Sequence, residues 1–321
     1  MKNLRIVFMG TPGFAVATLG SLLMNGYDVA GVVTAPDKPS GRGRKIVKPA
    51  VKEFAEFSHL HVLQPDNLKD PEFIDSLKKL NANIFIVVAF RMLPEVIWRM
   101  PEFGTINLHA SLLPHYRGAA PINHAIINGE TITGVTTFFI DDKIDTGNIL
   151  LREEIQIYPF ENAGDLHDRL MIHGSRLVIR TIDGIAGNNL IPQPQSKFIK
   201  PGEPVRLAPK IFPQDCIVDW KNDISAVHNF IRGLAPYPCA RSFLDNGKEK
   251  ILFKILESQP EAADHNYEPG VLLSDGRSFL KVASRNGFIN ILNIQAEGRN
   301  TMCIKDFLRG FRIGNYKIPV T

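Results

Sequence analysis

Cysteine is scarce: 321 residues contain three, Cys216, Cys239 and Cys303, far apart and without paired spacing. That pattern excludes a disulfide framework and a zinc finger, and it points to a reducing compartment. Long apolar runs are missing too, so no segment reads as a membrane span. The amino terminus, Met1-Lys2-Asn3-Leu4-Arg5, enters a strand within a few residues and has no apolar signal core. A cytoplasmic protein is expected. The histidines His59, His61, His124, His167, His173 and His228 lack metal-ligand spacing, so no metal is expected. Charge of one sign is limited: 37 Lys and Arg face 33 Asp and Glu, a net of +4. Residues 1–199 balance at 20 against 20, so the surplus, 17 against 13, falls in residues 200–321. This mildly favours a polyanionic partner for the C-terminal part.

What is present is an alternation of strands and helices. Leu4 to Met9 is a short apolar run suited to a buried parallel strand. Gly10-Thr11-Pro12-Gly13 and a helix from about Phe14 to Met24 follow. The glycine loop lacks a full G-x-G-x-x-G, and no acidic residue ends the strand Val29 to Thr34, so the glycines read as turn and packing residues. Further strands are expected at His61 to Leu63, Asn83 to Val88, Thr105 to Leu108 and Gly134 to Ile140, with helices at Pro71 to Leu80, Ala119 to Asn128 and Asn162 to Ala186. This order predicts an α/β domain, a Rossmann-like, mostly parallel sheet with helices on both faces, over residues 1–188. The proline-rich stretch 189–209 reads as an extended linker. Residues 210–321 hold a helix from Asp223 to Leu234, then short strand-like runs that suggest a small β domain.

Two segments carry the chemistry. Asn107-Leu108-His109 sits at the end of a strand, where alternation sends both polar side chains to one face. Open α/β sheets keep their ligands at that end. Ser111-Leu112-Leu113-Pro114 breaks the strand, and Asp141 to Gly147 forms a second polar turn downstream. Taken alone, Asn107 and His109 could satisfy a buried turn, and Asp145 could cap one. Together the Asn-x-His-x-Ser-Leu-Leu-Pro segment and the Asp145-Thr146-Gly147-Asn148-Ile149-Leu150 segment resemble the signature of the folate-dependent formyltransferases. The ungapped run Ser111 to Ile122 is similar to the branch that acts on methionyl-tRNA.

The resemblance covers nearly the whole chain and sets the remaining expectations. It implies an oligonucleotide-binding-type (OB-like) β-barrel at the C-terminus that binds tRNA. It implies 10-formyltetrahydrofolate as formyl donor and initiator methionyl-tRNA as acceptor, for translation initiation by a monomer. Asn107, His109 and Asp145 become the catalytic residues. The amide of Asn107 donates to the oxyanion, His109 adds charge, and a carboxylate beside the ring favours the imidazolium or takes a proton from the amine. Ser111, Leu112, Leu113 and Pro114 match the folate-binding segment, with a cis bond before Pro114. The basic stretch Ala35 to Pro49 holds Lys38, Arg42, Arg44, Lys45 and Lys48 against one acid, Asp37. Glycine and proline argue against regular structure there, and its flexible cations suit phosphates. It resembles the branch's tRNA-contacting loop, with Arg42 on the Arg of Gly-Arg-Gly. Phe90-Arg91 departs from the family's Tyr-Gly, which changes the folate pocket wall. His115 receives no role. A sugar-amine acceptor and a 10-formyltetrahydrofolate hydrolase, in which water replaces the amine, remain alternatives.

Overall fold

The computed structural model describes residues 3–40 and 45–319. The elements run β1 (Arg5–Gly10), α1 (Gly13–Met24), β2 (Asp28–Val33), β3 (Lys38–Ser40), β4 (Lys45–Val47), α2 (Ala50–Phe57), β5 (Val62–Leu63), α3 (Pro71–Lys79), β6 (Ile84–Val88), α4 (Glu95–Trp98), β7 (Thr105–His109), β8 (Arg117–Gly118), α5 (Pro121–Ile127), β9 (Ile132–Phe139), β10 (Ile149–Gln156) and α6 (Ala163–Ala186). They continue with β11 (Leu207–Ala208), α7 (Ile224–Leu234), β12 (Ala240–Asp245), β13 (Lys250–Ala262), β14 (Leu272–Ser274), β15 (Leu280–Ser284), β16 (Gly287–Ala296), β17 (Met302–Cys303) and α8 (Ile304–Gly310). No helix among the described residues is long and apolar enough to cross a membrane.

Two compact units form. The first takes Met1–Gly118, Thr133–Ile155 and His167–Leu207; the second takes Ala119–Ile132, Gln156–Leu166 and Ala208–Thr321. In the first, seven strands order as β10-β9-β7-β6-β1-β2-β5. Strands β5, β2, β1, β6 and β7 are parallel, and β9 runs antiparallel to β7. Because β1, β2, β6 and β7 are apolar on both sides, each face needs a cover. Val7, Met9, Phe85 and Val87 pack with Phe73, Leu77 and Ile97 from α3 and α4. On the other face Leu108 meets α6 at Gly174. The strand order reverses direction at β1, which puts the carboxyl ends of β1, β6 and β7 at a topological switch point.

The second unit is built on a curled antiparallel half-barrel sheet, β12-β13-β16-β15-β14, with β17 added to β16. Its core gathers Trp220, Phe253, Ile255, Ile289 and Ile291. Trp220 is 1% exposed and donates from Nε1 to Ser242 Oγ at 3.1 Å, so its polar end is satisfied inside the core. The helix α7 starts at Asp223, whose carboxylate accepts the Ala226 N–H at 2.7 Å. Gly233 lets α7 approach α5: a Cβ there lies 2.7 Å from Ile127 Cγ1.

One expectation changes. The basic stretch is not without regular structure, since Lys38–Ser40 pairs antiparallel with Lys45–Val47. Pro39 fits because a two-stranded ribbon is all edge and its missing N–H is not required. The C-terminal tail packs into the core of the second unit. It contains α8, whose Ile304, Phe307 and Leu308 are buried while Lys305 and Arg309 stay exposed.

Candidate active site

Asn107 and His109 project from the same face of β7, as period-two alternation requires. Their partners on β9 are Phe138 and Thr136. Asn107 is half-buried and its Oδ1 is buried without a hydrogen-bond partner. His109 is 7% exposed, with its Nε2 2.8 Å from the Tyr116 carbonyl oxygen. A carbonyl only accepts, so Nε2 carries the proton and Nδ1 is the nitrogen turned toward Asp145. Asp145 Oδ2 lies 3.8 Å from Nδ1 and accepts the Gly118 N–H at 2.9 Å. Asp145 adopts φ +54, a left-handed conformation that an aspartate tolerates better than most residues. Gly147 closes the turn against the sheet, where a Cβ would lie 1.7 Å from the Phe139 carbonyl oxygen.

The segment after β7 is locked by Thr136. Its Oγ1 donates to the Ser111 carbonyl at 2.6 Å and accepts the Leu113 N–H at 3.2 Å. Ser111 Oγ donates to the His115 carbonyl at 2.7 Å. Leu113 is fully buried with Phe138 and Ile149, and the Leu113–Pro114 bond is cis. The side chains of Ser111 and Leu113 are therefore used inside the protein. What the segment can offer a ligand is its remaining backbone groups and half-buried Leu112.

Arg91 is committed as well. It donates to the Pro65 and Asp66 carbonyls at 2.7 and 2.9 Å and lies over the Phe90 ring. His115 faces Glu203 at 3.5 Å. Burial first, then the charges of Arg206, Arg152 and Arg117, hold its pKa below the ordinary value against the opposite pull of Glu203. Lys38 is exposed on the ribbon. Arg42 and Arg44 lie outside the described residues, as does the side chain of Lys45. Among the described residues no group of three or more His, Cys, Asp or Glu could hold a metal ion.

Sequence reasoning missed Gln195, which sits in the stretch read as a linker. The segment meets the sheet through paired backbone bonds between Ile149 and Gln193, both 2.8 Å. Its next residues form a 3-10 turn, Gln195–Phe198. Gln195 is 5% exposed, and its amide reaches Asp145, Gly147 and Arg117. Burial of a polar residue between prolines was the signal, and it is visible only in three dimensions.

Residues 4–182 match the model of the formyl transferase family, and residues 210–312 match that of the formyl transferase C-terminal domain. A methionyl-tRNA formyltransferase of Flavobacterium johnsoniae is 53% identical over 310 residues, 97% of each chain. The chain belongs to the formyltransferase family, in its methionyl-tRNA formyltransferase branch. Solved structures share the family fold at lower identity. The N-formyltransferase of Helicobacter canadensis, in complex with folinic acid and dTDP-3-aminofucose, is 23% identical with a TM-score of 0.63, covering 90% of this chain and 98% of that one. HypX of Aquifex aeolicus in complex with tetrahydrofolic acid is 17% identical with a TM-score of 0.64 over 98% of this chain. This chain spans about half of HypX, 51% of its length.

Proposed function

We propose that this chain transfers the formyl group of 10-formyltetrahydrofolate to the α-amino group of initiator methionyl-tRNA, acting as a monomer. One observation carries the reading. In a member of this branch, Asn107 and His109 share one strand face, and the Asp145 carboxylate stands 3.8 Å from the imidazole.

The folate donor supplies an electrophilic formyl carbon bonded to nitrogen. The residues divide the rest of the work. An α-amino group has a pKa near ~8, so at neutral pH it must lose a proton before attack. Asp145 takes that proton, directly or through one water. The unpartnered Oδ1 of Asn107 fits an N–H of the attacking amine. The amide NH₂ of the same side chain then donates to the formyl oxygen as it becomes anionic. His109, with Nε2–H held by Tyr116, adds positive charge beside that oxygen when its ring is protonated. The new C–N bond forms to the amine, the C–N bond to folate breaks, and the departing nitrogen takes up a proton. No metal is assigned. Backbone groups of Ser111, Leu112, Leu113 and Pro114, with the Leu112 side chain, receive the pterin, while Lys38, Arg42, Arg44 and Lys45 meet tRNA phosphates. Residues 1–188 serve as the catalytic domain, 189–209 as a linker and 210–321 as a tRNA-binding domain.

The deciding experiment is formylation of methionyl-tRNA by the purified protein with 10-formyltetrahydrofolate, beside a sugar amine and a no-acceptor control. Formyl-methionyl-tRNA as the dominant product is expected. A faster reaction with the sugar amine, or formate release at the turnover rate without acceptor, overturns the reading.

A further inference from the structure

We propose that Gln195 is a positioning residue for the transfer, holding the Asp145 turn so that its carboxylate faces His109. The proposal rests on the role given above to Asp145.

All of the hydrogen-bonding capacity of the Gln195 amide is used. Nε2 donates to the carbonyl oxygens of Asp145 and Gly147, both at 2.9 Å. Oε1 accepts from Arg117 Nε at 3.1 Å and from its Nη2 at 2.6 Å. A glutamine amide has two donors and two lone pairs, and each meets a partner of the opposite kind. The orientation is therefore fixed, because carbonyls cannot donate and a guanidinium cannot accept.

This amide grips Asp145 twice. It holds the main chain of Asp145 directly, in a left-handed conformation that relaxes unless its surroundings oppose it. Through Arg117 it also holds the peptide that leads to Gly118, whose N–H binds the Asp145 carboxylate at 2.9 Å. Main chain and carboxylate are thus referred to one buried side chain. Loss of the amide leaves the Asp145 and Gly147 carbonyls short of a donor and frees the turn to shift.

The test compares Gln195→Met, Gln195→Glu and, as a control, Gln193→Ala in the full chain. Methionine keeps length and bulk without the hydrogen bonds. Glutamate can accept from Arg117 but cannot donate to the two carbonyls. Gln193 belongs to the same segment, and its side chain bonds Ile191 and Lys197 without touching Asp145. In Gln195→Met, kcat for formylation of methionyl-tRNA should fall about 10- to 100-fold, the scale of a misplaced catalytic group. KM for tRNA and for folate donor should stay within about twofold, the mark of an effect confined to the transition state. Gln195→Glu should not rescue kcat, and Gln193→Ala should match wild type. Amide exchange at Gly118 should speed at least about tenfold in Gln195→Met, with the β7 amides unchanged.

Wild-type kcat in Gln195→Met, full rescue by Gln195→Glu, or an equal loss in Gln193→Ala overturns the proposal while formyl transfer stands. A wild-type protein that does not formylate methionyl-tRNA overturns the proposed function instead. The exchange at Gly118 then decides the positioning role, and an unchanged rate defeats it.

Discussion

Asp145 Oδ2 and His109 Nδ1 stand 3.8 Å apart, beyond hydrogen-bond range, with the carboxylate tethered elsewhere by the Gly118 N–H. What a carboxylate brings to the ring at that distance is its negative charge. Asp145→Asn keeps an oxygen for Gly118 and removes that charge. Its kcat should fall by 100-fold or more, about 2.7 kcal/mol of transition-state stabilisation, as for a lost oxyanion donor. Binding of methionyl-tRNA should persist. Single-turnover formylation beside filter binding measures both, and near-normal turnover counts against the assignment.

Asn107 carries a stability cost that its proposed role would explain. Its Oδ1 is buried without a partner, a burden of about 1–3 kcal/mol in a folded protein. Asn107→Ala should lower kcat by about 100-fold or more, yet leave the melting temperature equal to or above that of wild type. Calorimetry of the two proteins checks the second half. A clear drop in melting temperature means that the oxygen has a partner in solution.

Gly147 has no room for a side chain. With the Phe139 carbonyl oxygen 1.7 Å from where a Cβ would stand, Gly147→Ala must move backbone, and backbone clashes are among the larger single-residue penalties. A loss of at least ~2 kcal/mol is expected in urea unfolding, with activity falling further than stability alone explains.

Stability should fall on mild acidification because of His228. Burial, aided by the charge of Arg232, pushes its pKa down to about 4 from the ordinary 6.5. The folded protein keeps this ring neutral while the unfolded chain takes up a proton below 6.5. Stability from this group is thus complete above pH 6.5, declines as pH falls toward 4 and is constant below. After discount for the solvent that still reaches the ring, the loss is on the order of 2 kcal/mol. His228→Gln should flatten the decline between pH 7 and 4, read from unfolding midpoints after subtraction of the common acid limb.

The basic stretch that holds Lys38 and Arg42 in sequence should act on tRNA alone. Lys38→Ala and Arg42→Ala should each raise KM for methionyl-tRNA, leave KM for the folate donor unchanged and lower the salt slope of tRNA binding by about one. A change in folate affinity would place these cations at the wrong ligand.

The local pattern of the chain settled a good deal. Period-two alternation in Thr105 to His109 by itself puts Asn107 and His109 on one face, because a strand has no other way to place i and i+2. Apolar runs such as Asn83 to Val88 marked buried parallel strands, and the helix expected from Asp223 to Leu234 is α7, with Asp223 as its cap. The second unit read only as a small β domain, since short strands do not reveal their partners. The ribbon of Lys38–Ser40 and Lys45–Val47 was hidden for the same reason: its pairing lies across the chain.

Only tertiary structure decided how the Asp145 turn is held. Gln195 lies 50 residues from Asp145 and 78 from Arg117. It sits in a proline-rich stretch where local propensity says nothing about burial. Its two donors find carbonyls and its oxygen finds a guanidinium because the sheet brings Ile149 against Gln193. Chemistry carried by one strand can be read from its spacing. Geometry enforced by a buried amide depends on contacts that exist only once the chain has closed around it.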